Sequence, residues 1–385
     1  MTSRIPLSTP ALRVLVFRVG SLGDSVVSIP ALYAVRRHYG PASHIVLLRD
    51  RSPRALATPA DVLKGHSTVD DFLDYPTGLP RTRAALALMR LILHLRRMHF
   101  DACIYLAPAR RPRMSVVRDR LFFRASGVRT LLGFHAFPAA ELDPVDSQTG
   151  KPALVRQEAW FLLDRLRRDG IQTYEDGEDL PCGLEIRREE EERVRHWLQE
   201  AGWDGRGPAI GVAPGAKTPA NRWPLERFAE VGRRLVESIG AFPLAIGGPA
   251  ESAMSERLVG LWGAGASAAG VFAPRETAAL IASCRVFIGL DTGPTHLASA
   301  VGTPCVGLYS CRDNPGRWHP LGRSSTVLRK DGSVTCAGCM GEDCPDGSYR
   351  CTSAITVDEV VTAALQAMRV VGSASGPHGT GALVP

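Results

Sequence analysis

No apolar run in this 385-residue chain approaches the roughly 20 residues that a helix needs to cross a bilayer. Stretches such as 278–281 and 286–290 are long enough only for buried strands or core segments. Residues 1–10 carry one cation, Arg4, and no apolar segment ahead of the first strand-like run, so they do not read as a secretory signal. The expectation is a cytoplasmic protein, a compartment in which disulfides are rare. Aromatic residues are few, at 6%. No aromatic-interleaved basic motif or helix-turn-helix pattern accompanies the cations, which speaks against nucleic acid as a partner.

What is present is the balance of a soluble globular protein, 45% apolar and 22% charged. The length suits two domains, since one domain holds roughly 100 to 200 residues. The net charge of +7 is unevenly spread. Between Arg81 and Arg129 stand twelve arginines against only Asp101 and Asp119. That density fits a phosphate-bearing partner, which the planar guanidinium grips with paired bonds, or simply a solvated basic face.

Short apolar, β-branched runs at 12–17, 44–48 and 102–106 alternate with helical spacing at 28–39 and 83–98, the grammar of a parallel α/β sheet. A charged helix at 187–199 and a Gly-rich stretch at 202–208 suggest a boundary. The grammar then restarts, with strands at 209–213, 242–246, 286–289 and 305–309 and helices at 225–239 and 295–301. The organisation expected is an α/β first domain over 1–185, a second over 205–355, an amphipathic helix at 356–371 and a flexible tail at 372–385. Two Rossmann-like domains would face a common cleft.

Four loops follow strands and carry candidate chemistry. In Gly20-Ser21-Leu22-Gly23-Asp24, glycine lets the backbone approach a ligand, and Asp24 serves either as a general base or as a helix cap. Asp291-Thr292-Gly293-Pro294-Thr295-His296 opens a helix with Pro294 near its first position, so several amides should face an anion, with Asp291 or Thr292 as cap. Pro214-Gly215-Ala216-Lys217, continuing to Asn221-Arg222-Trp223-Pro224, supplies two cations, Lys217 and Arg222, that can offset charge on a departing diphosphate or sit in solvent. After Gly247-Gly248-Pro249-Ala250, Glu251 can accept from ribose hydroxyls or act as an ordinary first-turn acid.

Together these loops resemble glycosyltransferase family 9, the heptosyltransferases of lipopolysaccharide synthesis, from Arg13 to about Val371. Leu22-Gly23-Asp24, the block from Pro214-Gly215-Ala216 to Trp223-Pro224, and Asp291-Thr292-Gly293 with His296-Leu297-Ala298 carry the resemblance. It implies a GT-B fold and metal-independent, inverting transfer from ADP-heptose to a saccharide or glycolipid acceptor such as the lipopolysaccharide core. Asp24 would be the base, in an acceptor-side loop with Ser21 and Gly23. Thr292, Gly293 and His296 would hold the diphosphate in a loop shaped by Asp291. The last helix would cross back to the first domain. In the family a lysine usually stands two residues before the tryptophan; here that residue is Asn221. The basic first domain fits an anionic acceptor, or peripheral contact with an anionic membrane at the inner face of the cytoplasmic membrane.

Rival readings are the same fold with another donor, or with a protein or secondary-metabolite acceptor; an inactive binding or scaffold protein; and a sugar-nucleotide epimerase, which needs no acceptor. No cofactor is expected for catalysis. Of the nine cysteines, Cys336, Cys339, Cys344 and Cys351 cluster in a loop whose spacing suits either a structural zinc or iron site or reduced, loosely packed thiols.

Overall fold

The computed structural model describes residues 11–50, 57–322, 324–344 and 346–373. The chain divides into two compact units. The first holds the residues up to Arg187 together with Ala273–Arg275 and Asp313–Gly322; the second holds the remainder.

In chain order the first unit runs β1 (Arg13–Arg18), α1 (Leu22–Val27), α2 (Ile29–Tyr39), β2 (His44–Asp50), α3 (Pro59–Leu63), β3 (Asp71–Tyr75), α4 (Arg81–Met98), β4 (Ala102–Tyr105), α5 (Arg113–Ala125), β5 (Thr130–Leu132), α6 (Ala139–Leu142) and α7 (Glu158–Arg168). Its strands pair in parallel in the order β3-β2-β1-β4-β5. Parallel strands covered on both faces read as unbroken apolar runs, and β1 is one, with Val14 through Phe17 fully buried. The period of two divides them. Leu15 and Phe17 join Val46, Leu48, Cys103 and Tyr105 in one core with Leu91 and Leu95 of α4 and Val116 and Phe123 of α5. Val14, Val16, Ile45 and Leu47 point the other way and are as completely buried.

The second unit runs α8 (Arg188–Glu200), β6 (Ala209–Ala213), α9 (Leu225–Ile239), β7 (Phe242–Ala245), α10 (Ser252–Trp262), β8 (Ala266–Ser267), α11 (Pro274–Ala282), β9 (Val286–Leu290), α12 (Gly293–Ala300), β10 (Cys305–Leu308), β11 (Ser325–Leu328), α13 (Arg350–Ser353) and α14 (Val357–Ser373). Its sheet, also parallel, has the order β11-β10-β9-β6-β7-β8. That is the doubly wound Rossmann order, in which the chain reverses direction beside the first strand. The reversal lies between β6 and β9 here and between β1 and β4 in the first unit. Ligands of such sheets bind beyond the carboxyl ends of the strands at that point.

The final helix is part of the second unit. α14 packs on α9, β9, β10 and β11, and its Val360, Val361, Ala364 and Met368 are part of the second unit's core. Apolar residues at helical spacing find their burial on the sheet they follow. The segment that returns is Asp313–Gly322: the Val155 and Glu158 N–H groups donate to the Pro315 and Arg317 carbonyls at 2.9 and 2.8 Å. The tail expected from 372 onward lies, beyond Ser373, outside the described residues.

Candidate functional site

In the first unit β1 ends on Arg18 and the chain turns through Gly20 into α1, whose first turn carries Asp24. The Asp24 carboxylate reaches back over the turn. Its Oδ2 accepts from the Ser21 N–H at 2.8 Å and from the Ser21 hydroxyl at 2.9 Å. Gly20 has φ +145°, and a Cβ there would stand 2.6 Å from the Asp24 side chain, so only glycine lets the carboxylate fold down in this way. Beneath it lies Arg18, fully buried. The guanidinium donates to the Asp24 carbonyl at 2.6 Å, to Asp24 Oδ1 at 3.2 Å and to the Leu106 carbonyl at 2.7 Å. Asp24 thus caps its own helix, as the simpler reading of the sequence has it. It is also a carboxyl group held in one orientation, with its side chain still 18% exposed.

Sequence reasoning missed the layer under this turn. The loop after β4, on the far side of the reversal point, is tied by buried charge: Arg165 donates to the Ala107, Pro108 and Ala109 carbonyls, and Glu158 accepts from the Ala109 N–H at 2.6 Å. Burial pushes the Arg165 guanidinium down to about 10. Burial also pushes the Glu158 carboxyl up, against the opposing pull of the Ala109 N–H, Arg18 and Arg317. The visible signal was an arginine at the end of an otherwise apolar strand, since a buried arginine is seldom left without a task.

In the second unit β9 leads through Asp291 to Thr292, the residue before α12. Thr292 is extended at φ −150° and makes no side-chain cap, and no acid stands in the first turn. Pro294 has no N–H, and the Thr295 N–H turns back to the Thr292 carbonyl at 3.2 Å. The expectation of several open amides therefore narrows to the Gly293 N–H, with the helix macrodipole behind it. The Thr295 hydroxyl donates to the Leu290 carbonyl at 2.5 Å, which fixes the turn. His296 is buried in the same turn, and Asp291 is half-buried. Tyr309, fully buried past the end of β10, has its hydroxyl pushed up by burial and then by Asp291.

The loops after β6 and β7 meet through Glu251. Its Oε2 accepts from the Gly248 N–H at 2.7 Å, and a Cβ on Gly215 would lie 1.6 Å from Oε1. Glycine at 215 is what lets the carboxylate lodge there. Lys217 and Arg222 are exposed, with the Arg222 Nε donating to the Ala216 carbonyl at 3.0 Å. Sites after β6 and β9 flank the reversal point, where a Rossmann sheet takes its nucleotide.

Residues 168–350, just under half of the chain, match the model of glycosyltransferase family 9 (heptosyltransferase). Over that stretch the chain is similar to glycosyltransferase family 9. The stretch from Arg13 to 167, including Asp24, lies outside that match. Among curated relatives, the lipooligosaccharide heptosyltransferase 2 of Haemophilus influenzae is 29% identical over 146 residues, 36% of this chain and 41% of the relative. The aligned part thus spans about two fifths of that relative's length. Two solved structures match nearly the whole chain in fold. The family 9 glycosyl transferase of Veillonella parvula has a TM-score of 0.72 at 21% identity, covering 94% of this chain and 99% of its own. The ADP-heptose lps heptosyltransferase II of Escherichia coli has 0.67 at 18%, covering 94% and 100%. With two helix-flanked parallel sheets, the chain has the GT-B fold.

The position where the family usually carries lysine is structural here. Asn221 is buried and accepts from the Ser310 hydroxyl at 2.6 Å, just past β10. The expected zinc or iron site is not formed: among the described residues no three His, Cys, Asp or Glu side chains converge on a point that could hold a metal. The thiols have other engagements. Cys336 and Cys339 are exposed, the Cys344 thiol donates to Asp346 at 3.0 Å, and Cys351 is turned to the buried Cys311. The Cys311 neighbour lowers the Cys351 thiol, and Cys311 is in turn pushed up. Cysteine spacing alone cannot show which way a side chain points. A cavity of about 500 Å³ in the first unit, lined by Val155, Trp160, Asp176 and His319 among others, includes none of the motif residues.

Proposed function

We propose that the chain is an inverting glycosyltransferase that takes heptose, or a similar sugar, from ADP-heptose and joins it to a hydroxyl of a saccharide or glycolipid such as the lipopolysaccharide core. In the proposed step Asp24 accepts the proton of the acceptor hydroxyl as its oxygen attacks the anomeric carbon. The bond from that carbon to the diphosphate oxygen breaks, and the electron pair leaves on the diphosphate. A single displacement inverts the centre. The Gly293 N–H and the start of α12 stabilise the leaving charge, with Thr292 and His296 beside it and Asp291 shaping the turn. Lys217 and Arg222 supply the cation that Asn221 does not, and Glu251 meets the ribose. Ser21 and Gly23 line the acceptor side.

The observation that carries this reading is the acid-free start of α12 beside the reversal point, within the stretch that matches the family 9 model. The donor is taken from the E. coli neighbour, an ADP-heptose lps heptosyltransferase. A lipid-borne acceptor would bring the protein from the cytoplasm to the inner face of the cytoplasmic membrane; no described helix is long and apolar enough to cross one. The test is nucleoside diphosphate release from a panel of nucleotide sugars, with and without heptose-free core oligosaccharide. Acceptor-dependent release from ADP-heptose is expected. Release from another sugar nucleotide alone overturns the donor, and release without acceptor overturns the transfer. Asn221, engaged with Ser310, favours one rival, a binding protein that has lost its cation. Saturable ADP binding with no release from any donor would establish that rival.

A further inference from the structure

The outer faces of α4 and α5 are built the same way. Leu86, Met89 and Leu93 on α4 are exposed, as are Met114, Val117 and Leu121 on α5. Each set has the spacing i, i+3, i+7, which places it as one crest along its helix. Exposure reaches 59% at Met89, 77% at Met114 and 65% at Leu121, far more than a shared core would leave. The inner faces of both helices, Leu91 and Leu95 of one and Val116 and Phe123 of the other, pack in one cluster against one face of the sheet. Both crests therefore look out from the same side of the first unit.

Charge flanks the crests, and all of it is positive. Arg83, Arg90 and Arg97 are exposed on α4, and Arg113, Arg120 and Arg124 on α5. α4 contains no acid. The one acid of α5, Asp119, is buried, taking hydrogen bonds from Tyr105, Arg111 and Arg118. No carboxylate on either helix is left outside to neutralise the arginines. A soluble surface of this kind ordinarily mixes both signs and scatters its apolar residues.

We propose that this face is a docking surface for an anionic phospholipid bilayer. The crests enter the boundary between headgroups and acyl chains while the arginines bond lipid phosphates, and neither helix spans the membrane. Charge complementarity selects this partner over a second copy of the chain, whose identical face is equally positive. The inference names the surface for the membrane contact raised above, and it rests on exposed side chains rather than on the transfer chemistry.

Flotation with vesicles of phosphatidylcholine, with and without phosphatidylglycerol, tests it. The full chain is expected to float with the anionic vesicles, to stay down with pure phosphatidylcholine, and to be released by salt. Leu86→Ser/Met89→Ser/Leu93→Ser should weaken partition by at least about tenfold. Arg90→Gln/Arg97→Gln should do so by a similar factor, about fivefold for each arginine. Because all these side chains are exposed, thermal unfolding should not move, and the arginine pair tests the idea even if the apolar triple variant fails to fold. No flotation with anionic vesicles, or flotation unaffected by either variant, overturns the proposal. So does a dimer that the triple variant dissolves while no vesicle binds, which would assign the face to a second copy. Diphosphate release with a soluble core acceptor should be the same in the triple variant and the parent. A chain that floats but never releases diphosphate would leave this surface standing and remove the transferase.

Discussion

Two loops in this molecule share one construction, a strand running through a turn into a helix beside a sheet's reversal point, yet they treat the helix start in opposite ways. After β1 the first turn holds an acid, Asp24, folded over Gly20 and anchored from below by Arg18. After β9 the first turn holds none, and Thr292 makes no cap of its own. A negative ligand gains from the second helix start and meets a like charge at the first. One fold element, by the choice of a single residue three positions into the helix, serves either as a mount for a carboxylate or as a seat for an anion.

The sharpest way to break this contrast is to remove the carboxylate. Asp24→Asn keeps an acceptor for the Ser21 N–H but no longer takes a proton, so turnover should fall by about 100-fold or more while ADP affinity stays within twofold or so. Equal turnover would take the base role from Asp24. Making the second loop like the first comes next: Thr292→Asp puts an acid before α12 and should weaken ADP binding by about tenfold, measured by calorimetry, with little change in melting temperature. Unchanged affinity would place the diphosphate elsewhere. Gly20→Ala should cost about 1–3 kcal/mol of stability, because the residue needs a positive φ and the new Cβ strikes Asp24. Denaturant unfolding reads this, and a neutral result would mean the turn relaxes freely.

The smallest effect belongs to the buried layer. The Glu158 carboxyl is raised by burial, so the folded protein holds that proton to higher pH than the unfolded chain does. Its contribution is complete below the ordinary value of 4.5 and is lost as pH rises through the raised one. Glu158→Gln, which still accepts from the Ala109 N–H, cannot titrate. The stability of the parent relative to this variant should therefore fall as pH rises across that window and then level off. A difference that grows with pH would reverse the sign and show Glu158 stabilised as the anion by Arg18 and Arg317.

Both sheets were legible because their central strands are buried on both faces and read as uninterrupted apolar runs. β3 escaped because Asp71 and Asp74 break its pattern at an exposed edge, β8 because two residues make no pattern, and α7 because five of its eleven residues are charged, two of them, Glu158 and Arg165, buried. The loops could be found by residue type and spacing, but not what lies behind them. That Asp24 rests on Arg18, that Glu251 lodges against Gly215, and that Asn221 faces Ser310 are facts of side-chain direction. Direction also defeated the cysteine reading, since Cys351 turns to Cys311 rather than to its loop neighbours. The apolar stripe of the last helix shows that it is covered, not by which strands and helices.

The central claim is that a nucleoside diphosphate seats at the start of α12, and diffraction from the protein crystallised with ADP addresses it most directly. The account predicts a phosphate oxygen within hydrogen-bond distance of the Gly293 N–H. ADP bound in the cavity beside Trp160 and His319, or anywhere else that leaves Gly293 without a phosphate, would contradict it.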